Sequence, residues 1–381
     1  MIQQYKDIFD VTRHGDDIYS LAETLNIDMD EIVDFSSTIN PVTMPKSVLG
    51  AIKEGMPHIM KYPDPEARLV TREISRHYDI PASSILCGNG STELIHLIIK
   101  ALQPERLLLF APTYQEYERA FNIHQKLYNP KASVEYITLK ANEEFVTDIK
   151  KVISSITGGK DIDTLRRSPV INTPDMVIIC NPNNPTGGLM GRDELLEIAN
   201  VARLLKIYLI LDEAYIDFCP THSLIRDVVD NPYLIIIRSL SVFYALAGLR
   251  LGFAVMHPSV IDKFKRLRQP YSINIFAQLA ATAAINDKNH TNQTISLINE
   301  EKITLEDGFK AIKIRYFPSA CNFYLIHLQN AQEVLESLRQ KAIILRSCSD
   351  FKGLDERYIR ITVRSYRDNM RLLKELARIL V

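Results

Sequence analysis

Five short apolar runs constrain this chain more than any other feature: LLLFAP (107–112), MVIICNP (176–182), IYLILDEAY (207–215), YLIIIRSLS (233–241) and GFAVMHP (252–258). Their apolar stretches are continuous rather than alternating, so each suits a strand covered on both faces. Helical patterns lie between them. STELIHLIIKAL (91–102) opens on Ser and Thr, carries a nearby Glu and spaces its apolar residues helically; RDELLEIANVARLL (192–205) is a second case. Strands alternating with helices predict an α/β fold, a three-layer sandwich around a mainly parallel sheet with crossover helices.

After about Pro270 the pattern changes. A helical stretch (275–312) is followed by CNFYLIHL, AQEVLESLRQKA, YIRITV and DNMRLLKELARIL. This predicts a smaller α+β domain. The expected division is a large domain over 42–270 and a small domain from 271–381, joined by an N-terminal arm over 1–41. DFSSTINP (34–41) bridges the two, and the polar segment 154–175 is a surface excursion.

Composition narrows the partners. The 45 basic residues balance 46 acidic ones for a net charge of −1, which disfavours nucleic acid. The apolar runs are too short to span a bilayer, and MIQQYKDIFD is not a secretory leader, so a cytoplasmic protein is expected. The five cysteines are scattered and form no CxxC pair, which fits reduced thiols and no metal site.

Open α/β sheets place ligands at the C-terminal ends of their strands. GNGSTE (88–93) puts small residues at a helix start, where free N–H groups attract an anion. GGK at 158–160 is no rival phosphate loop, because Ser154 replaces its first Gly and Asp161 follows the Lys. CNPNNPTGG (180–188) fixes a rigid loop that offers the amides of Asn183 and Asn184. In LDEAYIDF, Asp212 suits a protonated ring nitrogen and Tyr215 a neighbouring hydroxyl contact. Ser239, Ser241 and Arg250 suit a phosphate dianion, and Tyr114 offers a flat face for stacking. Each segment alone also reads as a turn, cap or core aromatic. Together they describe a planar, phosphorylated ligand with a ring nitrogen.

The order RHG (13–15), DFSSTINP, KYPDPEA (61–67), GNGSTE, APTY, NPNNPTG, DEAY, RSLS…ALAGLRLGF and YIRITVRS (358–365) resembles the fold-type I pyridoxal-phosphate enzymes, the aspartate aminotransferase superfamily. Within it, the chain is most similar to the threonine-phosphate decarboxylase and histidinol-phosphate aminotransferase branches. RHG, RQPYSIN (268–274) and ILRSCSDFKGLDERYIRITVRS (344–365) favour the decarboxylase branch, which serves cobalamin biosynthesis. The resemblance implies pyridoxal 5'-phosphate held by Gly90, Ser91, Thr92, Ser239, Ser241 and Arg250 at its phosphate. It implies Tyr114 stacked on the ring, Asp212 on the ring nitrogen, and Asn184 with Tyr215 on the ring hydroxyl. It implies a homodimer in which Tyr62 reaches the partner's site. For substrate it implies Arg360 on the carboxylate, Asn40 and Asn184 nearby, and His14, Arg346 and Arg364 at the phosphate or carboxylate end.

One position breaks the pattern. The family's cofactor-bound lysine stands three residues after the first Ser of S-x-x-K and eight before the phosphate arginine. Counting from Ser239 and from Arg250, both rulers fall on Val242. Valine cannot bond to the cofactor or move a proton. The expectation is non-covalent cofactor binding with slow or absent turnover. An engineered change, a natural loss in a binding paralogue, and chemistry by Tyr215 or Tyr244 are the three explanations. The expected reaction is decarboxylation of L-threonine O-3-phosphate or O-phosphoserine, with histidinol-phosphate-type transamination and an inactive binder as alternatives.

Overall fold

The computed structural model describes residues 17–160 and 173–380. Seven strands form one sheet in the order Ile85–Gly88, Gly252–Met256, Leu234–Ser239, Tyr208–Asp212, Met176–Cys180, Arg106–Ala111, Ser133–Thr138. Gly252–Met256 runs antiparallel to both neighbours and every other pairing is parallel. The fold is α/β with a mainly parallel sheet.

The five apolar runs supply five of these strands. Two apolar layers explain why the runs do not alternate. Leu209, Leu211, Leu234 and Ile236 point into one core, and Ile178, Ile210, Ile235 and Ile237 into the other. The two strands absent from the sequence-based expectation lie at the sheet's edges. Ile85–Gly88 is only four residues long, and Ser133–Thr138 is largely exposed and mixes polar with apolar residues. Ile85–Gly88 is buried on both faces but is too short to form a recognisable apolar run, whereas Ser133–Thr138 lacks the two-sided burial that makes central strands stand out.

The stretch 275–312 forms two helices, Ile275–Ile285 and Lys288–Ala311. Asp287 separates them because its side chain accepts from His290 N at 3.0 Å and caps the second. The first of these helices packs against Lys46–Gly55 and Arg68–Tyr78. A second, antiparallel sheet joins Arg346–Ser347, Tyr358–Thr362, Phe323–His327 and Arg315–Tyr316. Its own core is shared with Lys288–Ala311, Ala331–Arg339 and Tyr366–Leu380. Val33–Asp34 pairs in parallel with Ile343–Ile344, tying the early chain to this part. The polar segment begins at the end of helix Ile149–Thr157, and residues 161–172 lie outside the described residues. No helix among the described residues is long and apolar enough to cross a membrane.

Candidate active site

The strands Met176–Cys180, Tyr208–Asp212 and Leu234–Ser239 end side by side, with Cys180 opposite Asp212 and Asp212 opposite Ile237. Their last residues open a cavity of about 220 Å³. Ser91, Thr92, Tyr114, Asn184, Asp212, Tyr215, Ser239, Ser241, Val242 and Arg250 all line it. Segments more than 200 residues apart in sequence, from Ser37 to Arg250, therefore converge on one volume.

One end is built for an anion. Helix Gly90–Leu102 starts there, directed by Gly90 at φ +80°. A Cβ on Gly90 would stand 2.5 Å from Arg250 Nη2, so only glycine lets the guanidinium lie against the helix start. Arg250 Nη1 donates weakly to Ser241 Oγ at 3.4 Å and to Ala247 O at 3.3 Å. Ser241 N donates to Ser239 Oγ at 3.2 Å. Two hydroxyls, a guanidinium and unpaired helix N–H groups converge as a phosphate would require.

The other end is built for a cation. Asp212 is 2% exposed and accepts from Tyr117 OH at 2.7 Å and from Ala214 N at 3.0 Å. Burial pushes its carboxyl up from 3.8 to about 6, against the pull of those two donors. A protonated ring nitrogen would supply the missing counter-charge. The Tyr114 ring meets Tyr117 edge-on at 5.4 Å, so Tyr117 buttresses both the stacking ring and the carboxylate. Tyr215 OH shares a hydrogen bond of 2.9 Å with Thr38 Oγ1, and burial drives its phenol far above the usual range.

The substrate-side residues are placed differently. Arg360 is buried and donates to Asn184 Oδ1 at 2.6 Å and to Ser36 O at 2.7 Å, which brings it to the cavity's edge through Asn184. Asn40 does not line the cavity. Its amide donates to Phe243 O at 2.6 Å and Thr294 Oγ1 at 2.7 Å, and its carbonyl accepts from Val42 N at 2.9 Å. Arg346 pairs with Asp350 at 2.6 Å and Arg364 with Asp368 at 3.1 Å, both outside the cavity lining. Tyr62 is 83% exposed and stacks obliquely on Tyr271 with centroids 5.0 Å apart. His14 lies outside the described residues. Asn183 turns away from the cavity and bridges two loops, donating to Thr186 Oγ1 of its own at 2.9 Å and to Pro112 O of the turn after Arg106–Ala111 at 3.0 Å.

Ser37, Thr38, Ile39, Tyr117 and Cys180 also line the cavity and were not singled out from sequence. Tyr117 stands in the first turn of the helix that follows Tyr114, but nothing in the sequence aims its hydroxyl at Asp212. Thr38 had no signal either, because only folding brings it to Tyr215.

Val242 is half-buried and packs against Tyr215, Cys321 and Phe323. No lysine lines the cavity among the described residues. Lys263 and Lys265 are exposed on helix Pro258–Leu267. Tyr244 is buried outside the lining, against Phe243. The donor set therefore suits a pyridoxal 5'-phosphate at its phosphate, ring nitrogen and ring face, and offers no amine for covalent attachment.

Comparison with known proteins agrees. Threonine-phosphate decarboxylase of Salmonella typhimurium is 34% identical over 372 residues, covering 96% of each chain. The crystal structure of histidinol-phosphate aminotransferase from Clostridium acetobutylicum matches with a TM-score of 0.80 and 31% identity, over 91% of this chain and 99% of that one. The fold also matches histidinol-phosphate aminotransferase from Sinorhizobium meliloti, solved with pyridoxal-5'-phosphate, at a TM-score of 0.79 and 20% identity over 99% and 98% of the chains. The family model for aminotransferase class I and II matches residues 30–377, and the chain belongs to that family, with pyridoxal 5'-phosphate as its cofactor.

Proposed function

We propose that this chain is built on the frame of a decarboxylase for L-threonine O-3-phosphate, and that Val242 disables it. The observation that carries the reading is its 34% identity, over 96% of both chains, with a threonine-phosphate decarboxylase. Histidinol-phosphate aminotransferases are close relatives too, at 31% identity in one solved structure. The stretch 344–365 tips the balance toward decarboxylation.

When bound, the cofactor would supply an electron sink for the electron pair left on the substrate carbon as carbon dioxide departs. The chain's own residues do the rest. In this reading Ser91, Thr92, Ser239, Ser241 and Arg250 hold the phosphate, and Gly90 leaves room for Arg250. Asp212 holds the ring nitrogen protonated, and Tyr114 fixes the ring plane. Asn184 and Tyr215 orient the ring hydroxyl. Arg360 takes the substrate carboxylate, with Arg346 and Arg364 released from Asp350 and Asp368 to meet the substrate phosphate. In this reading residues 42–270 are the cofactor-binding domain, and 1–41 with 271–381 form the smaller domain and its arm. A second copy supplies Tyr62, which is left exposed on a single chain.

At position 242 the family's lysine would bond the cofactor and return a proton to the substrate carbon. An isopropyl group packed against Phe323 does neither. The cofactor is then held only by non-covalent contacts, and turnover is slow or absent. The test is carbon dioxide release from O-phosphothreonine by this chain and by Val242→Lys, both saturated with pyridoxal 5'-phosphate. Activity in the lysine form alone supports the reading. Keto-product formation with an amino-group acceptor would point to transamination. Cofactor binding by both forms with neither product would make this a binding protein.

A further inference from the structure

Two of the three strands that end at the cavity carry, on the face away from it, an apolar row that ends in a charge. One row runs Leu209, Leu211 and then Glu213; the other runs Leu234, Ile236 and then Arg238. Side chains alternate along a strand, so Glu213 and Arg238 back onto the site while their neighbours Asp212 and Ser239 face it. Where a third leucine or isoleucine would continue each row, the chain places opposite charges.

The two charges are buried almost completely, at 2% side-chain exposure for Arg238 and 1% for Glu213. Arg238 Nε stands 3.0 Å from Glu213 Oε2 in an ionic contact, and Arg238 Nη1 donates to Asp217 Oδ1 at 2.9 Å. Glu213 accepts from Ser223 Oγ at 2.7 Å and from Leu224 N at 2.9 Å. The guanidinium lies 4.9 Å from the Tyr78 ring centre, which brings in the helix Arg68–Tyr78. Burial pushes the Glu213 carboxyl up, and Arg238 opposes that push. The last backbone bond between the strands, Glu213 N to Ile237 O at 2.8 Å, sits at the same level.

A buried ion pair is weak evidence for stability, since well-packed apolar residues often do as well or better. Its particular property is direction: Arg238 meets Glu213 through Nε, Asp217 through Nη1 and Ser223 through Nη2, so one guanidinium ties the end of its own strand to the segment that follows the neighbouring strand. Here the position concerned is that of two strand ends, one presenting Asp212 and the other Ser239.

We propose that Arg238 and Glu213 are positioning residues that lock Asp212 and Ser239 at a fixed separation, so that one rigid ligand is gripped at its ring nitrogen and its phosphate together. The inference rests on the cofactor reading above. A rigid two-ended ligand gains from a fixed separation, while either of its halves alone does not.

Three probes separate these effects: pyridoxal 5'-phosphate, pyridoxal and inorganic phosphate, titrated against the native chain, Arg238→Met and Arg238→Lys, with melting curves alongside. Arg238→Met is expected to lower affinity for the whole cofactor about tenfold or more, while each fragment changes less than about threefold. Arg238→Lys regains part of the loss. Fragment affinities falling in proportion to the whole ligand would overturn the proposal, and so would an unchanged whole-ligand affinity beside a lowered Tm. If Arg238→Met does not fold, Glu213→Gln, which keeps the size, must show the same split between whole and fragments. A native chain that binds no pyridoxal 5'-phosphate would instead sink the cofactor reading, and this inference with it.

Discussion

Asp212 shows how a buried carboxylate at the cavity strains the protein that carries it. Its carboxyl rises from 3.8 to about 6 because burial disfavours the charge. Between those values the folded chain binds more protons than the unfolded one, so stability falls as pH rises through that window. A rise of about two units corresponds to about 3 kcal/mol. Asp212→Asn should therefore melt higher than the native chain above about pH 6, and the advantage should vanish near about pH 4. The same variant should bind pyridoxal 5'-phosphate more weakly, because a neutral amide offers no counter-charge to the ring nitrogen. Melting curves across pH and a cofactor titration check both halves. A variant that lost stability at neutral pH would contradict the burial argument.

The approach of helix Gly90–Leu102 to the sheet sets the phosphate end of the cavity. Gly252, at the start of its strand, makes that approach possible. A Cβ there would lie 2.7 Å from Ser91 N and 2.8 Å from Arg238 O, both backbone atoms that cannot swing aside. Gly252→Ala should cost about 1–3 kcal/mol through overpacking. It should also weaken phosphate binding, because relief of the clash moves the helix start away from Arg250. Denaturant unfolding and a phosphate titration measure the two effects. An alanine variant of native stability would show that the helix start has slack. Glycine at this place was readable as part of a GF pair, but its purpose was not. The neighbour it makes room for lies about 160 residues earlier in the chain.

In the proposed dimer, Tyr62 would acquire a role at the partner's site. Its ring is 83% exposed beside Tyr271, and neither residue lines the cavity of its own chain. Tyr62→Ala should leave the fold and its melting temperature nearly unchanged and lower cofactor affinity about tenfold. Mixing the Ala variant with an otherwise native chain crippled at Arg250 should restore one competent site per mixed dimer. Affinity that is indifferent to Tyr62 would confine the site to a single chain.

Much of this protein was legible before folding. Central strands declare themselves because burial on both faces demands unbroken apolar runs. The expected cofactor residues Asp212, Tyr215, Ser239 and Arg250 are read from motifs at strand ends and turns, and folding brings all four to one cavity. The family's spacing, carried over through the resemblance, sets Val242 at the expected lysine position. What folding alone decided was which polar residues remain available to a ligand. Asn40 is spent on Phe243 and Thr294, and Thr38 is recruited to Tyr215. Arg238 and Glu213 meet behind the site rather than in it. Hydrogen bonds and ion pairs act over a few ångströms, and their partners are brought that close only by the packing of segments far apart in sequence.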